Sequence, residues 1–98
     1  MYVGLLPIGS VVKVADVESY MMIIGYYQVS ADEPDAVYDY AGIVYPGGIG
    51  NTDEVFQFNR DSIEAIPFIG FEDDEQHEFI MELNAAEYEI KNHFNDKN

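Results

Sequence analysis

Short apolar runs, separated by polar or Gly- and Pro-containing turns, fill residues 5–71 and predict a β-sheet of about five strands. The first run is β-branched, as strands favour. The second is longer and apolar on both faces, as a central strand should be. The predicted strands are Val11–Val14, Tyr20–Val29, Val37–Tyr45, Val55–Phe58 and Ile63–Phe71.

Glycine and proline positions indicate how this sheet is shaped. Gly25 and Gly42 interrupt predicted strands, and an isolated glycine in a strand usually marks a bulge or a tight bend. Pro67 cannot donate to a β-ladder, so we expect the fifth strand at an edge of the sheet. The connecting loops and turns are Asp16–Ser19, Ala31–Asp35, Pro46–Asn51 and Asn59–Ser62, of which the last could form a single 3₁₀ turn.

From Glu72 onward the apolar positions follow a helical period. The apolar stripe comprises Phe79, Ile80, Leu83, Ala86, Ile90 and Phe94, and the other face carries Glu78, Glu82, Glu89 and Asn92. Glu72 to Glu75 precede this stripe, whereas Lys91 and His93 lie near its end, as the helix dipole prefers. The pattern predicts a helix over residues 72–95, followed by a frayed polar tail at 96–98.

These elements predict one domain over residues 1–98 with an α+β fold. We expect a small, strongly bent antiparallel β-sheet or an SH3-like β-barrel of about five strands, with one C-terminal α-helix. The helix would cap an open end of a barrel or pack on one face of an open sheet. A hydrophobic content of 48% in 98 residues is enough for one core and too little for two.

Charge narrows the classes of partner. Nineteen Asp and Glu residues face only four Lys and Arg, for a net charge of −15. A field of this sign repels phosphate backbones and anionic lipids, so we expect no nucleic acid and no membrane among the partners. It attracts basic proteins, although solubility alone accounts for the charge equally well.

Location follows from what the chain lacks. Cysteine is absent, so neither disulfides nor thiolate zinc sites are available. The first ten residues have no basic region, and no apolar run approaches the roughly 20 residues of a membrane-spanning helix. We expect a cytoplasmic protein.

Candidate chemistry is sparse. The Gly47–Gly50 stretch has no following Lys-Ser/Thr and is interpreted as a turn. His77 and His93 lie about 24 Å apart along a helix, too far to share a metal, although His77 could join Asp73 or Asp74 in a weak cation site. Glu72 to Glu75 lack the ligand spacing of an EF-hand. No serine lies in a nucleophile motif. We expect no catalytic, cofactor-binding or metal-binding residues, and no enzymatic activity.

Tyrosines supply the candidate binding surface. Six of them fall on the second and third predicted strands, where one parity of each strand points outward. Tyr and Met patches are typical of protein-binding surfaces, but the same rings could instead fill the core of a small barrel. The candidate partner-binding residues, including two from the helix, are Tyr20, Met22, Tyr26, Tyr38, Tyr40, Tyr45, Phe79 and Leu83.

Four segments together resemble one family. They are Leu5–Val12, Met22–Tyr26, Tyr38–Gly48, and a dispersed group consisting of Phe58-Asn59, Ile63 and Gly70–Asp73. In this order and spacing, over about residues 5–80, the chain resembles the bacterial family catalogued as domain of unknown function 4176. The family has no catalytic motif, so the resemblance implies no enzyme chemistry and no site residues.

Members of that family are small proteins of Gram-positive bacteria, often encoded beside LXG toxins of type VII secretion. The resemblance therefore implies an accessory role, such as a cytoplasmic chaperone or adaptor that engages the toxin or another secretion component. An immunity protein that blocks the toxic domain is the alternative, and a ligand-gated or metal-binding regulator is a third. If one small sheet leaves the helix stripe uncovered, two copies could also pair through it as a homodimer.

Overall fold

The computed structural model describes residues 4–29, 35–50 and 54–95. The predicted loop residues Ala31 to Pro34, the predicted tail at 96–98 and the side chains of His93 and Phe94 lie outside this description. The elements are β1 (Val11–Val14), β2 (Tyr20–Val29), β3 (Val37–Val44), β4 (Val55–Phe58), a 3₁₀ turn (Arg60–Ser62), β5 (Ile63–Phe68) and α1 (Asp74–Asn95).

Strand and helix limits follow the apolar pattern closely, and the two largest differences have local causes. β5 ends three residues before the predicted Phe71, because the Gly70 amide donates to the buried Ser10 hydroxyl at 2.9 Å and turns the chain onto the segment before β1. The helix begins two residues after the predicted Glu72. There the Asp73 carboxylate accepts the Gln76 amide at 2.8 Å, as an N-cap residue does.

All five strands form one antiparallel sheet in the order β4-β3-β2-β1-β5. β2 is the central strand, and β5, which contains Pro67, lies at an edge as predicted. This confirms the α+β prediction in its open-sheet form. The sheet is nevertheless bent. Its two edge strands, β4 and β5, are joined by only Asn59–Ser62, which span at most about 17 Å, whereas a flat sheet would separate its edges by about 19 Å.

The two strand glycines serve different purposes. The β2–β3 register shifts between Ile23 and Gly25, which confirms the predicted bulge. Gly42 lies opposite this bulge: it pairs with Ile23 just before the shift, and its pairing with Phe56 of β4 is continuous, so the extra residue is on β2 and not at Gly42. A Cβ at Gly42 would lie 2.9 Å from the Phe58 ring and 3.0 Å from the Met22 carbonyl oxygen, so glycine is required by close packing.

The core lies on the concave side of the sheet, where the segment before β1 is enclosed. Its buried residues are Leu5, Leu6, Val12, Val14, Met21, Ile23, Tyr40 and Phe58, with Ile80 and Leu83 of α1 packed against them. Two tyrosines hold the enclosed segment through its backbone. The Tyr40 hydroxyl accepts the Leu6 N–H at 2.9 Å, and the Tyr26 hydroxyl donates to the Leu6 carbonyl. Within the described residues, no helix is both long and apolar enough to cross a bilayer.

Candidate functional site

Cross-strand register sorts the predicted binding residues onto the two faces of the sheet. Directly paired residues project to the same face. Tyr26 pairs with Tyr40 on the face that carries the core, and Gln28 pairs with Tyr38 farther along the same two strands. Met22 pairs with Ile43 on the opposite face. The eight candidate residues therefore do not form one surface.

The concave face takes up several of these candidates. Tyr40 is only 1% exposed, and its ring centroid lies 6.1 Å from that of Tyr26 and 5.7 Å from that of Phe58. Its assignment to an exposed binding patch is corrected: it is a core residue, and its hydroxyl is used by the backbone of Leu6. Tyr26, Tyr38 and Leu83 are half-buried. Phe79 packs on Tyr26 with a centroid distance of 6.3 Å but remains half-exposed.

The opposite face carries one apolar residue from each strand, and each of them is paired directly with the one on the neighbouring strand. We call these five residues the outer apolar row. The row runs across the sheet as Val55, Ile43, Met22, Val11 and Phe68. Two tyrosines flank the row. Tyr20 lies two residues before Met22 in β2, and Tyr45 directly follows the end of β3. The Tyr45 amide donates to the Tyr20 carbonyl at 2.8 Å. Both tyrosines and Phe68 are exposed. Three of the predicted residues thus share this surface.

A second surface lies where α1 begins. The segments around Ile8 and Phe71 meet there, because Gly70 packs directly against the backbone of residues 8–10. They form, with the first turns of α1, a groove of about 540 Å³. We call it the acidic groove, and it is lined by Ile8, Tyr26, Phe71, Asp73, Glu75, Gln76 and Phe79. Phe71 is 77% exposed, which places a large apolar ring beside two carboxylates.

An ion-pair network ties α1 to the sheet. The buried Asp39 carboxylate accepts from the Arg60 amide at 2.9 Å, from Arg60 Nε at 3.1 Å and from Lys91 Nζ at 2.7 Å. Glu87 on α1 accepts from Arg60 Nη2 at 3.2 Å and from the Tyr27 hydroxyl at 3.0 Å. The network thus joins β2, β3, the 3₁₀ turn and the helix.

Proton affinities in this network are shifted in the directions that its contacts require. Burial alone would raise the pKa of Asp39, but the hydrogen bonds from Arg60 and Lys91 outweigh it and hold that pKa below its usual value. Burial, with the hydrogen bond to Glu87, raises the pKa of Tyr27. Burial opposes a raised pKa for Arg60, yet Asp39 and Glu87 raise it. The charged forms of Asp39 and Arg60 and the neutral hydroxyl of Tyr27 are therefore held by their partners, which fits a structural tie.

The residues that the sequence analysis weighed as metal or phosphate sites have hydrogen-bond partners close to them in the chain. His77 Nε2 lies 3.3 Å from Glu72 Oε1, and Asp73 is used as the helix cap. Over residues 4–29, 35–50 and 54–95, no cluster of three or more His, Asp or Glu side chains is placed to hold a metal ion. In the glycine-rich turn, the Gly48 amide donates to the Val44 carbonyl and the Gly50 amide to the Glu54 carboxylate.

Sequence patterns missed both the ion-pair network and the acidic groove. The sequence did contain a signal for the ion-pair network. Asp39 is the single charged residue in an otherwise apolar strand, and the chain has only four Lys and Arg residues. A buried acid needs a cationic partner, and few were available. No comparable signal links Ile8 to Phe71, because only the fold brings these distant positions together.

Comparisons with known proteins show which family the chain belongs to. No curated protein and no solved structure matches the chain. The family model described as domain of unknown function (DUF4176) matches residues 5–79, more than three quarters of the chain. The match covers the whole sheet and the first turns of α1. The chain therefore belongs to the DUF4176 family.

Proposed function

We propose that this chain is a non-enzymatic, cytoplasmic accessory protein that binds a partner protein, as a chaperone or adaptor for an LXG-type toxin of type VII secretion. The toxin setting comes from the family resemblance, since LXG toxins are often encoded beside members. What the chain itself contributes to the proposal is a surface suited to protein binding.

The outer apolar row is the observation that carries the proposal. One face of the sheet is covered by the core, including Ile80 and Leu83 of α1. The other presents an apolar residue from every strand, with Tyr20 and Tyr45 exposed beside it. A sheet buries an apolar face against another layer, and a contiguous apolar patch on a surface marks an interaction site. Tyrosines suit such a site, because each ring buries a large area while its hydroxyl remains hydrogen-bonded.

Charge favours a basic partner for this surface. Lys13, Arg60 and Lys91 are the cations in the described part of the chain, and each is already within 4.0 Å of a carboxylate of the same chain. Most of the acidic side chains are thus uncompensated, in keeping with the net charge of −15. Such a field speeds encounter with a positively charged protein and weakens as salt is added.

The immunity alternative draws on the same charge, because a nuclease toxin has a basic substrate channel that an acidic protein could block. Binding to separate halves of the neighbouring LXG toxin decides between the two roles. The chaperone or adaptor role predicts binding to the N-terminal targeting half. Binding to the toxic half alone, with rescue of growth on co-expression, would replace it with immunity. Binding to neither half would overturn both.

The surface itself is tested with matched variants in the same assay. Replacing Tyr20 and Tyr45 together by Ser should weaken binding at least about tenfold, as loss of aromatic anchors does at other interfaces. Tyr88→Ser, at a tyrosine on α1 that is more exposed than either of them, is the control and should leave affinity unchanged. Equal losses in the two variants would remove the outer apolar row from the proposal.

A further inference from the structure

The acidic groove brings exposed apolar side chains and carboxylates together. Its apolar part is formed by Ile8, Phe71 and Phe79, which are 48%, 77% and 50% exposed. Its rim carries the carboxylates of Asp73 and Glu75, both on exposed residues. A volume of about 540 Å³ lies within the range of pockets that bind ligands. The groove therefore offers an apolar contact and negative charge within one site.

The three Lys and Arg residues that the structure describes pair elsewhere and do not neutralise this rim. Lys13 pairs with Glu64, whereas Arg60 and Lys91 pair with Asp39 and Glu87. In the part of the chain that the structure describes, no lysine or arginine forms an ion pair with Asp73 or Glu75. A carboxylate accepts several hydrogen bonds, so the Asp73 side chain can cap the helix and still receive a further donor.

Charge also decides against two other occupants. A second copy of the chain would bring another net charge of −15 against the acidic rim, with like charges facing one another. An anionic lipid surface would be repelled in the same way. A positively charged protein segment gains from the same field, and its apolar side chains can enter the groove.

We propose that the acidic groove is a docking site for a partner segment in which large apolar side chains are flanked by Lys or Arg. This inference rests on the proposed function and names the chemistry of the segment that is recognised. The apolar side chains of the segment pack between Phe71, Phe79 and Ile8. Its Lys or Arg groups donate to Asp73 and Glu75, and charge-assisted hydrogen bonds of this kind are the stronger class.

The test uses the full chain and two synthetic peptides. One is an amphipathic peptide of Leu, Phe and Lys, and the other has Glu at every Lys position. Calorimetric titration should show binding of the Lys peptide alone, with an affinity that falls as NaCl is raised. In a methyl NMR spectrum the Ile8 signals should shift on addition of the Lys peptide. Equal binding of the two peptides, or binding of neither, would overturn the proposal.

Matched variants locate the binding. Phe71→Ala should weaken binding of the Lys peptide about tenfold, whereas Tyr88→Ala, at a residue with the same 77% exposure, should not. Glu75→Gln should weaken it more than Glu89→Gln, which removes an equal charge elsewhere on α1. The proposal fails if the control variants lose as much affinity as the groove variants.

Two further measurements distinguish failure of the groove from failure of the accessory function. If the chain alone self-associates in sedimentation and Phe71→Ala abolishes this, the occupant is a second copy and the proposal is wrong. If the toxin binds and Phe71→Ala has no effect on that binding, the accessory function stands and the groove is not its site. If the Lys peptide binds at the groove but neither toxin half binds, the groove stands as a docking site and the toxin-related function is wrong.

Discussion

At the scale of single residues, the junction between β5 and α1 depends on one glycine. The Gly70 amide donates to Ser10 Oγ, and a Cβ at this position would lie 2.3 Å from the Ile8 carbonyl oxygen and 3.0 Å from the Ser10 nitrogen. Both atoms belong to backbone, so neither can move aside as a flexible side chain would. The residue is fixed by packing, since its φ is not in the left-handed region.

We therefore predict that Gly70→Ala lowers the free energy of unfolding by about 1–3 kcal/mol, the range for overpacked sites. Urea denaturation followed by far-ultraviolet circular dichroism measures this change. Gly47→Ala is the control, because apart from its chain neighbours no atom lies within 4 Å of its Cβ position. Equal midpoints for the two variants would contradict the steric argument.

Asp39 is the second residue on which stability depends. Asp39→Asn keeps the shape of the side chain but removes the charge that faces Arg60 and Lys91. Breaking a buried ion pair costs about 3–5 kcal/mol, and since both cations are about one-third exposed we expect about 2 kcal/mol. Asp61→Asn, on the exposed neighbour of Arg60, should change stability by less than about 0.5 kcal/mol.

The ion pairs of Asp39 with Arg60 and Lys91 also predict how the free energy of unfolding depends on pH. The folded pKa of Asp39 lies below its unfolded value, so its contribution is fully present above about pH 3.9 and is lost as pH falls through the folded pKa. The difference in unfolding free energy between the wild type and Asp39→Asn should thus be constant near neutral pH and shrink at lower pH. A difference that grows on acidification would contradict the network geometry.

At the scale of elements, the strands were predictable and the faces of their side chains were not. β1, β2 and β4 have the limits that their apolar patterns predict. In unbroken alternation, Tyr26 would share a face with Tyr20 and Met22. The bulge between Ile23 and Gly25 shifts the parity by one, and Tyr26 turns inward beside Tyr40. A glycine in a strand signals a bulge, but Gly42 shows that it does not ensure one.

The helix also shows what periodicity leaves open. Its stripe of Phe79, Ile80 and Leu83 meets the sheet as a periodic pattern suggests. Met81 and Tyr88 stay exposed, and the second half of α1 is held to the sheet by the charged side chains of Glu87 and Lys91. Charged contacts have no periodic signature, so this part of the packing could not be read from the sequence. The predicted homodimer through the stripe stays a prediction.

For this element we predict that Asp73→Ala lowers the free energy of unfolding by about 1 kcal/mol, because the Gln76 amide loses its acceptor. Hydrogen exchange of the first-turn amides should accelerate in the same variant. Asp73→Ser preserves a capping oxygen and should recover most of the loss. Asp74→Ala removes the same charge one residue later without removing the cap, and should cost only a few tenths of a kcal/mol.

At the scale of the whole molecule, repulsion among carboxylates opposes folding. A net charge of −15 is confined to a body of 37 × 34 × 23 Å, comparable to the Debye length of about 30 Å at 10 mM salt. Added salt screens this repulsion, whereas the partly buried Asp39 pairs are screened less.

We expect the thermal unfolding midpoint to rise steadily between about 10 mM and about 0.5 M NaCl, where the Debye length falls to a few ångströms. Differential scanning calorimetry measures this directly. A midpoint that falls with salt would mean that the ion pairs outweigh the repulsion.

The position of β1 between β2 and β5 has a consequence for how the chain folds during synthesis. β1 pairs with β2 nearby in sequence, but it also pairs with β5, where Val11 meets Phe68 after 57 intervening steps of chain. During synthesis, a β1–β2–β3 meander can form early, yet one side of β1 stays unpaired until β5 has left the ribosome. Contacts of such high sequence separation place folding towards the slower, millisecond-to-second range. Until then the nascent chain exposes a strand edge on which a misplaced strand could pair.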